Sequence, residues 1–280
     1  MRVDTGKLRP GGGQNLHTHT KYCDGKQSPE EMVVAAIAKG CGSLGFSGHS
    51  YVPFDLKYSM HPDSMGGYLQ EIAALKEKYE GTIEIFTGLE LDYYTGETPE
   101  GLDFTIGAMH YVTSADSHKP VDAGSRDQKE MVVNVFGGDY YAFAEEYYSD
   151  LPKITEKANP DIIGHFDLIA KYNKNGELFD EMHPRYVKAA LGAMEGILER
   201  CRIFEVNTGA MYRLKKPEPY PSVFLLKELC KRGGEVILSS DSHEAESICY
   251  KFDEMQDLLK TCGFRYIKRL TKQGFIDVPL

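Results

Sequence analysis

Residues 15–49 read NLHTHTKYCDGKQSPEEMVVAAIAKGCGSLGFSGH, and they hold a complete strand–helix–strand unit. Asn15 to Thr20 predicts a short strand. Ser28-Pro29-Glu30-Glu31 then supplies an N-cap, a proline at the first helical position and first-turn acids. Met32, Val33, Ala36 and Ile37 recur at helical spacing, and Gly40 stops the helix. Ser43 to His49 reads as a second, buried strand that ends in histidine.

The same alternation continues downstream. A helix is expected over Tyr68 to Tyr79, then strands at Ile83 to Leu89 and Phe104 to Met109. Further helices fall within residues 140–158, 186–201, 222–231 and 252–261. Strands are expected at 161–164, 203–206 and 235–239, with a last apolar segment around Tyr266 and Ile267. About seven βα units in series favour an α/β fold whose parallel sheet closes into a barrel, with its chemistry at the C-terminal strand ends. Residues 113–138 show the least regular pattern and are a candidate lid. Residues 1–14, with Gly11 to Gly13, read as a flexible lead-in, and 15–280 as a single catalytic domain.

A formal charge of -10 argues against a broad nucleic-acid-binding face, which needs a basic footprint. The cysteines at 23, 41, 201, 230, 249 and 262 contain no CxxC pair, so reduced thiols are expected rather than a disulfide framework. No apolar leader follows Met1 and no long apolar run occurs, which makes a cytoplasmic enzyme with no membrane partner the simplest expectation. Oligomeric state is not legible.

His17 and His19 are alternate residues on a strand and share a face, so both can reach one metal ion. Asp241 and His243 repeat the arrangement after the late strand. His49, Glu90, His110 and His165 each stand at another strand terminus, after Gly48, Leu89, Met109 and Gly164. Separate structural roles would need an unrelated polar partner for each. One shared polynuclear centre satisfies them all.

The successive motifs NLHTHT, GFSGHS, TGLELDY, IGAMHY, IGHFDLI and SSDSH resemble those of the PHP phosphoesterase family, in that family's order, from Asn15 to His243. The resemblance implies a distorted (βα)7 TIM-like barrel of the PHP type holding about two to three divalent ions. It implies His17, His19, Glu90 and Asp241 around one ion, and Glu90, His110 and His165 around a second, Glu90 bridging. His49 and His243 would hold a third, with Asp24 from the loop after the HxH pair. Where many relatives carry an aspartate before the third-ion histidine, this chain has Gly48. Zinc, manganese and iron all suit such mixed imidazole and carboxylate ligands.

GHSYVPFD, GHFDLIAKYN and EVNTGAMYRLKKPEPYPS resemble the histidinol-phosphate phosphatase branch. The implied reaction is hydrolysis of L-histidinol phosphate to L-histidinol and phosphate, with hydroxide supplied between the metal ions and Glu90, Asp241 and His243 organising it. Arg213 and Lys171 are candidates for gripping the phosphate, or ordinary surface cations. Glu205, Asn207 and Tyr212 could line the pocket, Glu205 equally serving as a strand-end support, and Asp167 could support His165 or cap a turn. Rival readings are another PHP phosphoesterase or nuclease activity, an amidohydrolase-type metal hydrolase, and a noncatalytic metal-binding domain.

Overall fold

The computed structural model describes residues 13–96, 98–114 and 117–280. Seven parallel strands form the central sheet in the order β1 (Gln14–Asn15), β2 (Ser43–Phe46), β3 (Glu84–Asp92), β4 (Phe104–Ala108), β7 (Ile162–Ile163), β8 (Ile203–Asn207) and β9 (Glu235–Ser239). The sheet closes on itself through a parallel bridge between Thr18 and Ser242. There His19 N donates to Ser242 O at 2.8 Å and Ser242 N donates to His17 O at 3.0 Å. The expected strand over Asn15 to Thr20 is therefore two short contacts, one to each neighbour. Gln14, read from sequence as lead-in, already belongs to β1, because its backbone pairs with Ser43 and its side chain is buried. Residues 1–12 of that lead-in lie outside the described residues.

Local signals act as the sequence suggests in α1 (Pro29–Ala38). The Ser28 side chain accepts from Glu31 N, and Glu31 returns the favour to Ser28 N, a capping box with Pro29 at the first turn. Met32, Val33 and Ala36 on its inner face pack against Leu44 and Phe46 of β2 and against Tyr68, Ile72 and Leu75 of α2 (Pro62–Lys78). That helix starts earlier than expected, since His61 caps it and Pro62 opens it; Gly66 and Gly67 obscure its first turns in the sequence.

Inside the barrel, Leu16, Phe86, Phe104, Ile106, Ile162, Ile203 and Ile237 form one buried cluster. The Phe104 ring fills so much of it that a Cβ on Gly88 would lie 2.5 Å from the ring and one on Gly45 2.8 Å. The bottom is sealed by a hairpin of β10 (Tyr266–Thr271) and β11 (Gly274–Pro279), which the sequence shows only as an apolar tail. Leu270 enters the cluster, and the Gln14 side-chain amide pairs both ways with the Leu270 backbone, at 2.7 and 2.9 Å.

The outer layer is completed by α4 (Tyr140–Asp150), α5 (Lys153–Lys157), α6 (Pro184–Leu198), α7 (Gly209–Arg213), α8 (Val223–Lys231) and α9 (Phe252–Cys262). The helix expected within residues 140–158 is broken at Leu151-Pro152, where the proline cannot continue the hydrogen-bond ladder. The β3–β4 connection has no helix among the described residues, which distorts the barrel from a regular βα alternation.

Residues 113–138 are not irregular. They contribute to an antiparallel hairpin, β5 (Tyr111–Ser114) and β6 (Ser117–Pro120), and hold α3 (Ser125–Phe136). The helix escapes a sequence reading because Gly124 provides no side-chain cap and its first turns are charged, with burial confined to Gln128, Met131 and Val132. Among the described residues no helix is long and apolar enough to cross a membrane.

Candidate metal centre

The C-terminal ends of the barrel strands carry a compact set of imidazoles and carboxylates. His17 and His19, on the chain leaving β1, face Asp241 on the chain leaving β9: His17 Nε2 lies 3.6 Å and His19 Nε2 3.1 Å from Asp241 Oδ1. Glu90, near the end of β3, sits centrally. Its Oε2 lies 2.8 Å from His49 Nδ1 and 3.2 Å from His17 Nε2, and its Oε1 2.8 Å from His165 Nε2 and 3.5 Å from His110 Nε2. Asp24 Oδ2 stands 3.1 Å from His243 Nε2 and 3.7 Å from His49 Nε2, with its Oδ1 3.5 Å from His19 Nδ1.

The structure thus gathers His17, His19, Asp24, His49, Glu90, His110, His165, Asp241 and His243 in one place, although they span the chain from 17 to 243. Three donor groups have the spacing that holds a cation: His17, His19 and Asp241; His19, Asp24, His49 and His243; and His49, Glu90 and His110. The last grouping differs from the expected Glu90, His110 and His165. His49 turns its Nδ1 to Glu90, while His165 approaches the other oxygen of the same carboxylate.

Hydrogen bonding within the protein leaves part of this cluster unsatisfied. His17 Nε2, His19 Nε2 and Glu90 Oε2 are buried and have no hydrogen-bond partner among the described residues, although they lie within 4 Å of one another or of Asp241. Such groups cost about 1–3 kcal/mol each when left unsatisfied, and buried native groups of this kind are almost always paired. Imidazole nitrogens and carboxylate oxygens converging at this spacing are a donor set that fits divalent cations.

Electrostatics inside the cluster are tightly balanced. Burial opposes the charge on Glu90, yet His49, His17 and His110 outweigh it and hold its pKa well below the usual glutamate value. Burial likewise opposes ionised Asp241, and Arg213 with His17 overcomes it. His19 goes the other way: burial, aided by His243 and His49, lowers it to about 3, so its ring is neutral and able to donate a lone pair.

Supporting residues emerge that sequence reasoning missed or left undecided. Glu205, in β8, accepts from His17 Nδ1 at 2.8 Å, Ser239 Oγ at 2.5 Å, His165 N at 2.5 Å and Asn207 Nδ2 at 2.7 Å. It fixes the tautomer that turns the His17 Nε2 lone pair inward. Asp92 does the same for His110, whose Nδ1 lies 3.1 Å from Asp92 Oδ2. Asp92 is two residues beyond Glu90 on the same strand face, which is the signal that could have found it. Space at Gly48 is tight: a Cβ there would be 3.1 Å from both Cys23 Sγ and Met60 Cε, so those side chains would have to give way to a carboxylate. Asp167 is buried away from this cluster and accepts from Ser222 N at 2.9 Å, so it secures the turn before α8.

Beside the cluster opens a cleft of about 480 Å³ lined by Asp55, Tyr58, Tyr111, Asp122, Lys171 and Arg213, together with His49, His110, His165, Asp241 and His243. Arg213 Nη2 donates to Asp241 Oδ2 at 2.8 Å and Nη1 to Asp241 O at 2.6 Å. Asp241 itself has φ 45, a left-handed backbone at the point where the strand-end loop turns. Gly209 permits the guanidinium's approach, since a Cβ there would lie 2.9 Å from Arg213 Nη2. Lys171 Nζ pairs with Asp122 Oδ2 at 2.8 Å across the cleft. Tyr212 turns away and meets Tyr250 edge-on, ring centroids 5.2 Å apart.

Comparison with known proteins agrees with this architecture. The PHP domain profile matches residues 15–209. A histidinol-phosphatase of Bacillus subtilis is 25% identical over 261 residues, covering 85% of this chain and 96% of the relative. A histidinol phosphate phosphatase of Lactococcus lactis, solved in complex with zinc, L-histidinol and phosphate, superposes with a TM-score of 0.66 at 19% identity, covering 94% of this chain and 98% of that one. A candidate histidinol phosphatase from Listeria monocytogenes gives a TM-score of 0.74 at 20% identity, covering 86% and 99%. Those likenesses establish the (βα)7 barrel. With the profile spanning most of the chain and the strand-end histidines and acids in place, this chain belongs to the PHP domain family.

Proposed function

We propose that the chain is a metal-dependent phosphomonoesterase that hydrolyses L-histidinol phosphate to L-histidinol and phosphate. The observation that carries this reading is the buried cluster of imidazole and carboxylate groups beside a cleft whose wall carries Lys26, Lys171 and Arg213. The Bacillus subtilis relative, matched over 96% of its length, is a histidinol-phosphatase, and the Lactococcus lactis neighbour holds zinc with both products of this reaction, L-histidinol and phosphate.

His17, His19, Glu90 and Asp241 would hold one divalent ion; Glu90, His110 and His165 a second; Asp24, His49 and His243 a third. When bound, such ions activate water for in-line attack and offset the charge of the phosphoryl oxygens. Arg213 presents a forked donor at the rim of that cluster, suited to two phosphate oxygens, while its bonds to Asp241 keep it in place. Lys171 adds a point charge, held across the cleft by Asp122. Asp55 and Asp122 supply the negative wall that the amine and imidazole of the leaving alcohol need. Tyr58 and Tyr111, with hydroxyls 2.9 Å apart, supply flat surface for the ring. Glu205 and Asp92 hold His17 and His110 in the tautomer that faces the ions.

We read residues 15–280 as one catalytic unit, because the barrel closes between its first and last strands and both ends bring site residues. The small-molecule reaction and free cysteines suit a cytoplasmic setting without nucleic-acid partners. The test is phosphate release by protein loaded separately with zinc, manganese or iron. Histidinol phosphate should give the highest kcat/KM in a panel with nucleotides and short DNA. A nucleotide or DNA preferred under the same conditions would overturn the assignment.

A further inference from the structure

Away from the metal cluster, two cysteines lie in van der Waals overlap. Cys41, in the turn between α1 and β2, has its Sγ 2.7 Å from Cys249 Sγ, in the segment between β9 and α9. A disulfide needs about 2.05 Å, so a shift of about 0.7 Å joins them. The two segments are already tied together, since Lys39 Nζ donates to Glu246 O at 2.5 Å and to Ile248 O at 2.9 Å. Cys41 and Cys249 both line a surface cleft of about 400 Å³.

We propose that Cys41 and Cys249 are an oxidation site, forming a reversible disulfide that fastens the turn after α1 to the segment bearing Asp241 and His243. The oxidant is a peroxide. The Cys41 thiolate attacks one oxygen of hydrogen peroxide, the O–O bond breaks, and the departing hydroxide takes up the thiol proton as water. Cys249 then attacks the sulfenic sulfur; the S–S bond forms, the S–O bond breaks, and a second water leaves with the Cys249 proton. Two thiols are oxidised and one peroxide is reduced to two waters.

Several features favour this pair over the other thiols. The neighbouring Cys249 sulfur pulls the Cys41 pKa down against its burial, with Lys39 adding to the pull. Cys249 is pushed up by its contact with Cys41 and by burial, so Cys41 is the attacking thiol of the pair, while Cys23 is pushed up to about 12 by burial. The bond would reach the site through a short path: Cys249 N donates to Ser240 Oγ at 3.1 Å, and Ser240 Oγ meets Ser242 Oγ at 2.8 Å, on either side of Asp241.

The experiment treats the metal-loaded protein with hydrogen peroxide, blocks remaining thiols with iodoacetamide, and maps peptides without reduction. The expected result is a Cys41–Cys249 linked peptide with the other cysteines alkylated. Its Tm should be several degrees higher than that of the reduced protein, because the bond closes most of the chain into a loop. Dithiothreitol should reverse both. Cys249→Ser and Cys41→Ser should each show no linked peptide and no Tm rise on peroxide. Absence of the 41–249 peptide while other thiols oxidise, or an oxidised form no more stable than the reduced one, would overturn the proposal.

Discussion

Glu205→Gln is the sharpest probe of how the cluster is organised. The change keeps shape and removes one acceptor. In the native arrangement one carboxylate oxygen accepts from His165 N and Asn207 Nδ2, and the other from His17 Nδ1 and Ser239 Oγ. A glutamine oxygen can serve only one pair. If it stays with His165 and Asn207, its amide points two hydrogens at His17 Nδ1 and Ser239. His17 must then carry its proton on Nε2, the nitrogen that faces Glu90 and Asp241. That nitrogen can no longer donate a lone pair. Loss of such an orienting partner costs about 10–100-fold in metal affinity, or about 1.4–2.8 kcal/mol. Zinc affinity measured by chelator competition should fall by that factor, while circular dichroism at 25 °C shows an intact fold. A variant that binds zinc within about twofold of the parent would refute the claim that Glu205 sets the His17 tautomer.

Asp241→Ala removes a carboxylate shared by His17, His19 and Arg213. Turnover should drop at least about 100-fold with the far-ultraviolet spectrum unchanged, and activity within tenfold of the parent would count against the proposed cluster. Arg213→Lys exchanges a fork for a single ammonium, so kcat/KM for histidinol phosphate should fall about 10–100-fold, the value of one to two charge-assisted hydrogen bonds. Unchanged kinetics would place the phosphate elsewhere in the cleft. Gly88→Ala drives a methyl to 2.5 Å from the Phe104 ring inside the barrel, and thermal unfolding should register a loss of about 1–3 kcal/mol. A melting temperature equal to the parent's would mean that the ring yields freely.

Much of the site is legible without coordinates because its markers are short-range. A strand has a period of two, so His17 and His19, and Asp241 and His243, must share faces wherever the strands go. Ser28-Pro29-Glu30-Glu31 encodes its own helix start, and α1 begins there. Histidine or glutamate at successive strand ends, directly after glycine at His49 and His165, falls on one rim once the sheet is parallel and closed. α3 and the residue 111–120 hairpin are less visible, because neither has a strong cap or apolar period and their burial comes from neighbours distant in sequence.

Other features have no local signature. Glu205 reads as pocket lining or strand-end support alike until β8 is set beside β7 and β9, where donors from His17, His165 and Ser239 meet it. Gly88 reads as one more residue of the expected strand until Phe104 is seen occupying the space its side chain would need. Gly48 reads as a strand-end glycine until Cys23 Sγ and Met60 Cε are seen 3.1 Å from where its Cβ would stand. Sequence determined the kinds of group at the strand ends and the faces they share, since those follow from backbone geometry over a few residues. Tertiary structure alone decided which partner each group meets, because closing a barrel joins segments more than two hundred residues apart, as at Thr18 and Ser242.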